Sequence, residues 1–448
     1  MTDPDSDFLA RLERDDIEYL WVAFHDYNGR ACAKTNPRSG FRSAVRMGMV
    51  FAKANLNMDV HDHQVSGATL LGDSGDFLAV PDPRSYAVLP RFLRTALTHS
   101  FMREPDGSPW VGCPRTRLDA IVSRLGHEGI SVQAALEPEF YLYHRAPDGA
   151  LIPITRSTMY GQRGLADANT FMVDLMNELT GMGIPVAQSH KEYGKDQYEL
   201  SLGHGSPIEA VDRYLQFRAT LHDLAGKHGM VATLMPKPTA DSPGNSLHAH
   251  LSLWSSDGSV DQTASADDDV SLSETANWFL GGLLAHAPAL TAVGSPTVNS
   301  YKRLLPGSWA PANAYWGRGN RSGLIRIPGT GSRRRIEFRS SDNTAQPYLL
   351  LCSLLAAGLD GVRSQTDPGP PFDDDVGRLS SVEIARARLA FLPRTLPDAL
   401  AALERDEVIC SALGSEILKH FLAVKRGEFE AFNTVVHEWE RDTYLELH

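Results

Sequence analysis

Carboxylate and imidazole side chains recur at alternate positions of predicted strands in this chain. Glu137 and Glu139 flank a proline in an apolar stretch, and His248 and His250 flank an alanine among leucines. Because positions i and i+2 of a β-strand share a face, each pair is predicted to project from one side of its strand. The set on predicted strands consists of Glu137, Glu139, Glu192, Glu199, His248, His250 and Glu337.

Glutamates clustered with an imidazole suit Mg²⁺ or Mn²⁺, because hard cations prefer oxygen ligands. Each pair also has an interpretation without a metal. The glutamates could lie on a solvated outer face, and the histidines could be buried in the core with their hydrogen bonds satisfied. Five glutamates and two histidines in one domain together favour the metal site. The four cysteines are scattered without CxxC spacing, which argues against structural zinc and indicates thiols of a reducing cytoplasm.

The segment 299–339 has the opposite charge, with nine basic residues and one acid in a chain whose formal net charge is −12. Its arginines alternate with apolar β-formers in LIRIP and RIEFR, which predicts that several point inward from strands. Guanidinium forks fit carboxylate and phosphate, so a small substrate with both groups is expected. The chain has no P-loop or dinucleotide fingerprint, so any ATP site would rest on metals and arginines, as phosphoryl transfer allows.

Composition narrows the class of protein. Hydrophobic residues make up 42% and charged residues 22%, as in an ordinary globular protein. No apolar run reaches the length of a membrane span, and the acidic N-terminus lacks the features of a signal peptide, so a cytoplasmic location is predicted. A pI near 5.7 argues against nucleic acid or an anionic membrane as the main partner.

The elements that must position these side chains divide the chain into two predicted domains of α+β class. Residues 1–107 show short strands punctuated by proline and few long helices, which indicates a small α+β domain. Residues 108–448 alternate strands with helices and contain no linker, which indicates one large domain. All the paired carboxylates and imidazoles fall on strands of the large domain.

Most of residues 108–448 resembles the glutamine synthetase family, through motifs that match in order and spacing. The resemblance implies a small N-terminal β-grasp domain and a large catalytic domain with an antiparallel sheet flanked by helices. It also implies ATP and Mg²⁺ or Mn²⁺ as cofactors, and stacked rings, usually dodecamers, with each site between the small domain of one subunit and the large domain of the next. The motifs are EPEF, HKEYGKDQYE, MPKP, NSLHAHLSL, NSYKRL, NRS with IRIP, and RIEFR.

The same resemblance implies roles for individual residues. The ligands of the metal beside the amino-acid substrate are Glu139, Glu192 and Glu199, and those of the metal on the ATP phosphates are Glu137, His248 and Glu337. The nucleotide contacts are His250, Ser252 and Arg335, and the phosphate contacts are Arg321 and Arg326. The contacts to glutamate are Arg303, Arg339 and Gly244.

The chain departs from the family where ammonium would be bound and deprotonated. Trp309 stands where the family usually carries a glutamate, and Ala52 falls near the position of an aspartate. The loop over the amino acid, NGSGMH in the family, reads PGNSLH here. Trp309 has Tyr315 and Trp316 in its segment, which favours an apolar amine pocket.

These observations predict an ATP-dependent ligase that joins the γ-carboxylate of glutamate to a primary amine through a γ-glutamyl phosphate, giving a γ-glutamyl amide, ADP and phosphate. The amine is expected to be bulky and apolar, aryl or alkyl. One alternative is an ammonia-using glutamine synthetase, in which Asp59 or Asp62 replaces the lost acids. Others are a γ-glutamylpolyamine synthetase, which needs a further acid, and a non-catalytic family member.

Overall fold

The computed structural model describes residues 3–266, 271–374, 376–387 and 389–447. The first part of the chain forms a six-stranded sheet with two helices. Its elements are α1 (Pro4–Arg14), β1 (Tyr19–His25), β2 (Ala31–Pro37), α2 (Phe41–Met47), β3 (Met49–Ala52), β4 (Asp76–Pro81), β5 (Ala87–Val88) and β6 (Thr95–Arg103). The strand order is β2-β1-β6-β4-β3, with β5 on β6, and β1 and β6 are parallel.

The second part is built on a nine-stranded sheet. Its elements up to the segment 299–339 are α3 (Pro114–His127), β7 (Ile130–Arg145), β8 (Leu151–Pro153), α4 (Gln162–Asp167), α5 (Asn169–Gly181), β9 (Val186–Lys191), β10 (Gln197–Leu202), α6 (Pro207–Lys227), β11 (Met230–Thr233), β12 (Leu247–Ser255), α7 (Glu274–Ala285) and α8 (Ala287–Gly294).

The remaining elements add three strands to this sheet, a separate two-stranded pair, and further helices. They are β13 (Asn313–Ala314), β14 (Trp316–Gly317), β15 (Ile325–Arg326), β16 (Ile336–Phe338), α9 (Pro347–Ser364), α10 (Ser381–Arg386), β17 (Ala390–Phe391), α11 (Leu396–Arg405), α12 (Glu407–Leu413), α13 (Ser415–Asn433) and α14 (Glu438–Tyr444). The order is β14-β15-β16-β12-β7-β10-β9, with β8 and β11 on β7, and β13 pairs separately with β17. All pairs are antiparallel except β14 with β15. The α+β class is therefore confirmed.

Strand β7 is the axis of the large sheet. From Ile130 to Phe140 its even-numbered residues are buried and its odd-numbered residues are only partly buried. The buried face packs against α3 and α6. The other face, which carries Glu137 and Glu139, is left open for a site, so the two glutamates share a face as predicted.

One continuous hydrophobic core joins the two parts of the chain. At their junction the buried guanidinium of Arg115 lies 2.8 Å from the carboxylate of Asp82 and 2.7 Å from that of Asp212. Removing either acid would leave a buried charge without its full set of partners. The domain boundary at residue 107 stays a prediction.

One helical stretch is interrupted, and one local prediction needs correction. Ser273 caps α7, and the chain passes from α7 into α8 at His286. Pro288, in the first turn of α8, has no N–H to continue the bonding of α7. The strands of segment 299–339 are only two or three residues long. The prediction that its inward-pointing arginines lie on strands is therefore wrong for Arg303 and Arg339, which are buried but lie outside strands. Among the described residues, no helix is long and apolar enough to cross a membrane.

Candidate active site

Strand register brings the predicted ligands together on one face of the large sheet. Glu199 on β10 lies opposite Glu139 on β7. Across β7 and β12, His248 lies opposite Glu137. Opposed residues of antiparallel strands have their Cβ atoms about 4.5–5.5 Å apart, so this register brings these four side chains together. Glu192, which was predicted on a strand, instead follows the end of β9.

The first metal-binding group consists of Glu137, His248 and Glu337, whose ligand atoms all lie within 4.8 Å of one another. His248 Nδ1 lies 3.5 Å from a Glu137 oxygen and 3.7 Å from a Glu337 oxygen. This nitrogen is buried and has no hydrogen-bond partner in the described structure. Burial and the charge of Arg339 lower the pKa of His248 to about 4, which keeps the ring neutral and able to ligate a cation.

A second group consists of Glu139, Glu199 and His248, and a third of His190, Glu192 and Glu199. The three glutamates predicted to bind one metal therefore lie in one cavity but fall into two groups. Glu139 is in one group, Glu192 is in the other, and Glu199 is in both. Burial and the charge of Glu192 raise the pKa of Glu139 to about 7. Burial and the neighbouring glutamates raise the pKa of Glu199 well above its usual value. These crowded carboxylates therefore repel one another.

His190 is a site residue that the sequence reasoning missed. It lies on β9 opposite Glu199, and its Nε2 is 2.6 Å from a Glu192 oxygen. Its signal was present, because His190 and Glu192 repeat the i, i+2 spacing of the other pairs.

The residues present fit divalent cations. The groups are rich in carboxylate oxygen, their acids repel one another, and a buried imidazole nitrogen lacks a partner. Mg²⁺ or Mn²⁺ matches this donor set. Bound there, such a cation would neutralise phosphate charge and relieve the repulsion between the glutamates.

All three groups open into a cavity of about 490 Å³. Gly244, in the loop between β11 and β12, lines this cavity, and its contact to glutamate stays a prediction. A Cβ at this position would lie 2.6 Å from Arg303 Cγ and 2.5 Å from the carbonyl oxygen of Pro236, so only glycine fits. The neighbouring Ser246 N–H donates to Glu139 Oε2 at 2.8 Å, which fixes that carboxylate.

Arginines form the wall beyond the first metal group. Arg326 Nη1 lies 2.9 Å from Glu337 Oε2, and Arg339 Nη1 pairs with Glu337 Oε1. Burial raises the pKa of Glu337, but Arg339 and the nearby histidines outweigh it and hold the pKa at about 2. Arg321 lines the cavity, and within the described residues its guanidinium makes no hydrogen bond or ion pair. It is therefore available to an anionic ligand.

Of the three residues predicted to contact the nucleotide, His250 and Arg335 line the cavity and Ser252 does not. His250 Nδ1 accepts a hydrogen bond of 3.0 Å from Arg335 Nε, and its Nε2 lies 3.1 Å from Glu137 Oε2. Because Nδ1 accepts, Nε2 carries the proton and donates to the carboxylate. The hydroxyl of Ser252 accepts from Trp254 Nε1 at 3.0 Å.

Three other residues that were predicted to contact substrate have a different environment in the structure. Arg303 lines the cavity, but its Nη atoms already donate to the backbone carbonyls of residues 339–341, at 2.8–3.2 Å. Arg339 divides its bonds between Glu337 and the carbonyl oxygen of Arg321. Ala52 is exposed at the end of β3 and does not line the cavity of its own chain.

The cavity mouth is aromatic. Trp309 is 52% exposed there, and its ring centroid lies 5.7 Å from that of Tyr193, which is 61% exposed. Tyr160 lines the same mouth beside His190. Trp309 and Tyr160 both have left-handed backbone, with φ of 59° and 56°, which is costly for bulky residues and marks a candidate functional position. We call Tyr160, Tyr193 and Trp309 the aromatic rim.

Tyr315 and Trp316 do not join this rim. Both are buried, and neither lines the cavity. Tyr315 packs in a separate small cluster with Val376 and Ile384, and Trp316 Nε1 donates to Gly369 O. The prediction that Trp309 shares an aromatic pocket with its own segment is wrong, because its aromatic neighbour comes from the β9–β10 turn.

The model of the glutamine synthetase catalytic domain matches residues 111–444. The chain belongs to the glutamine synthetase family. Its members are ATP-dependent ligases that use divalent metal ions. The glutamine synthetase of Halobacterium salinarum is 34% identical over 457 residues, which cover 100% of this chain and 97% of that protein.

Other family members carry a different activity in their names. The glutamate–methylamine ligase of Methyloversatilis universalis is 33% identical over 448 residues, covering 97% of this chain and 98% of that protein. A solved GmaS–ADP complex is 32% identical with a TM-score of 0.88, covering 99% of this chain and 100% of that one. These similarities confirm the glutamine synthetase fold, and they include both ammonia-type and amine-type ligases.

Proposed function

We propose that this protein is an ATP-dependent ligase that joins the γ-carboxylate of glutamate to a primary amine with a bulky apolar body. The observation that carries the proposal is Trp309 at the cavity mouth, in contact with Tyr193. An indole cannot bind or deprotonate ammonium as a carboxylate does. It can bury an apolar group, and ring stacking would add about 0.5–1.5 kcal/mol.

The first step, formation of γ-glutamyl phosphate, is supported by the groups on the sheet. Glu137, His248 and Glu337 would hold a metal ion at the phosphates. The two groups that share Glu199, one with Glu139 and one with Glu192, would hold metal near the glutamate. Arg321 would offer its guanidinium to the transferred phosphoryl group, because developing negative charge is stabilised by cations already in place. A non-catalytic role would leave this assembly unexplained.

In this proposal the second step, attack of the amine on the acyl phosphate, takes place beneath the aromatic rim. The rim would exclude water and place the amine nitrogen next to the γ-carbon. The two acids named for the ammonia-using alternative are not placed for it within one chain. Neither Asp59 nor Asp62 lines the cavity, and Asp62 pairs with Arg30 at 2.9 Å.

We also propose that the protein works as a ring, with the small domain of a neighbouring subunit against each cavity. Ala52 is exposed and lies away from the cavity of its own chain, so on this proposal it faces the site of a neighbouring copy. A fully active monomer in light scattering would contradict this assembly.

The proposed activity is tested by ADP release with glutamate, ATP and Mg²⁺, using ammonium and a panel of primary amines. We expect bulky apolar amines to have a higher kcat/KM than ammonium. A polyamine preferred over every monoamine would support the γ-glutamylpolyamine alternative instead. Preference for ammonium over all amines would refute the proposal.

A further inference from the structure

Asp241 is the carboxylate of the cavity that the metal groups do not use. Every glutamate that lines the described cavity wall belongs to one of those groups. Asp241 lies in the same wall, on the loop between β11 and β12. Its side chain is exposed and makes no hydrogen bond or ion pair with any residue the structure describes. It is therefore available to a ligand.

The loop that carries Asp241 is anchored on both sides of this residue. Before it, the backbone N–H of Lys237 donates to Asn299 Oδ1 at 2.7 Å, and Lys237 Nζ donates to Ser242 O. After it, Pro243 O accepts from the hydroxyl of Tyr141 at 2.8 Å. These bonds hold the loop against the sheet, so Asp241 faces the cavity from a fixed base.

The aromatic rim lines the same cavity, which places a carboxylate and ring faces around one volume. Ring faces attract cations, and a carboxylate attracts them more strongly. An alkylammonium ion with an apolar body satisfies both. A neutral arylamine gains from the rings alone, so this arrangement discriminates between two amines that are equally apolar.

We propose that Asp241 recognises the ammonium group of the amine substrate, and that the substrates are primary alkylammonium ions with an apolar body. This inference rests on the proposed ligase function and names its substrate class. Asp241 takes one proton from the ammonium ion, and the neutral amine forms a bond to the γ-carbon. The bond from that carbon to the phosphate oxygen breaks, and the leaving phosphate carries away the second proton.

Benzylamine and aniline form the matched test pair, because both carry a phenyl ring and only benzylamine is protonated at neutral pH. ADP release is measured for the full chain with glutamate, ATP and Mg²⁺, and kcat/KM is determined for each amine. The test variant is Asp241→Asn, and Asp241→Glu restores the charge. Glu430→Gln is the control, since Glu430 is exposed on α13 and outside the cavity.

Losing one charge-assisted contact should lower kcat/KM for benzylamine about tenfold to a hundredfold. We expect Asp241→Asn to reduce the ratio of benzylamine to aniline activity by at least about tenfold, and Asp241→Glu to recover most of it. Glu430→Gln should leave the ratio unchanged. Thermal unfolding checks that each variant is folded, and Asp241→Ser replaces Asp241→Asn if that variant is not.

An unchanged ratio in Asp241→Asn would overturn the inference. If kcat/KM falls equally for both amines, Asp241 acts on the loop or on glutamate beside Gly244 and does not recognise the amine. Both results leave the proposed ligase function standing, provided the unmutated protein uses bulky amines. If the unmutated protein uses ammonium and neither amine, the proposed function itself fails. The two failures are therefore distinguishable.

Discussion

The two sides of the cavity are built in different ways. The metal groups are mostly buried, and all their members except Glu192 lie on neighbouring strands and take their positions from antiparallel register. The aromatic rim lies on three separate loops, is more than half exposed, and includes two residues with left-handed backbone. A strand fixes a side chain through its neighbours, whereas a loop can change without disturbing the sheet. On the proposed function, phosphoryl transfer therefore belongs to the rigid side of the cavity and amine choice to the variable side.

The largest effect is expected on the strand side. Glu337 contacts Arg326 and Arg339 and belongs to the first metal group. Glu337→Gln should lower ADP formation about 10²–10³-fold with every amine, because phosphate charge would lose its metal and its ordered arginines. Glu128→Gln, at an exposed ion pair with Arg363, is the control. Retention of activity in Glu337→Gln would show that the metal groups are not catalytic.

The second prediction is that Glu139→Gln changes the stability of the metal-free protein and its stabilisation by metal in opposite directions. Glu139 has a raised pKa because it is buried beside Glu192. Glu139→Gln should therefore raise the free energy of unfolding of the metal-free protein by about 1–3 kcal/mol, by removing a repelled charge. The same change should abolish most of the thermal stabilisation by Mn²⁺.

Thermal melts in EDTA and in saturating Mn²⁺ measure both parts of that prediction. For the unmutated protein, Mn²⁺ at a hundred times its dissociation constant should add about 2.7 kcal/mol of stability. If Mn²⁺ shifts the melting temperature of Glu139→Gln as much as that of the unmutated protein, Glu139 is not a ligand.

The third effect is expected on the loop side and should depend on the amine. Trp309→Glu should lower kcat/KM for a bulky apolar amine about tenfold, because burial and stacking on the indole are lost. Activity with ammonium should rise. Trp309→Phe keeps an aromatic face and serves as the matched control. A uniform loss with all amines would remove the contrast between the two sides of the cavity.

The smallest effect is expected outside the cavity. His286 lies between Asp406, at 2.7 Å, and Asp360, at 3.2 Å. Burial lowers the pKa of His286, but hydrogen bonds to the two aspartates outweigh it and raise the pKa. His286→Gln should cost about 1 kcal/mol in the free energy of unfolding at acidic pH, with no effect on kcat/KM.

The pH dependence of that loss follows from the raised pKa. The contribution of His286 is complete below the pKa of the unfolded chain, about 6.5, and disappears as pH rises through the higher folded value. Urea unfolding of both proteins from pH 5.5 to 9 should therefore show converging stabilities. A difference that grows with pH would contradict the assignment.

The sequence was most informative where residue type and strand period act together. Alternation along β7 and β12 predicted that Glu137 and Glu139, and likewise His248 and His250, share a face. The ordered motifs predicted the family, which the comparisons confirmed. These features are local, because side-chain direction in a strand depends only on position along it. The same reasoning missed His190, although its spacing to Glu192 was visible.

Only the tertiary structure decided which distant residues meet. The sequence placed Tyr315 and Trp316 beside Trp309, yet the ring that contacts Trp309 is Tyr193, 116 positions earlier in the printed sequence. Asp241 joined the cavity through loop contacts that no strand period encodes. Such positions depend on how loops pack against a finished sheet, whereas a strand's pattern is set residue by residue. The sequence by itself determined the family and predicted most of the acids and histidines that meet on the sheet, and the packing of the loops decided what surrounds the cavity mouth.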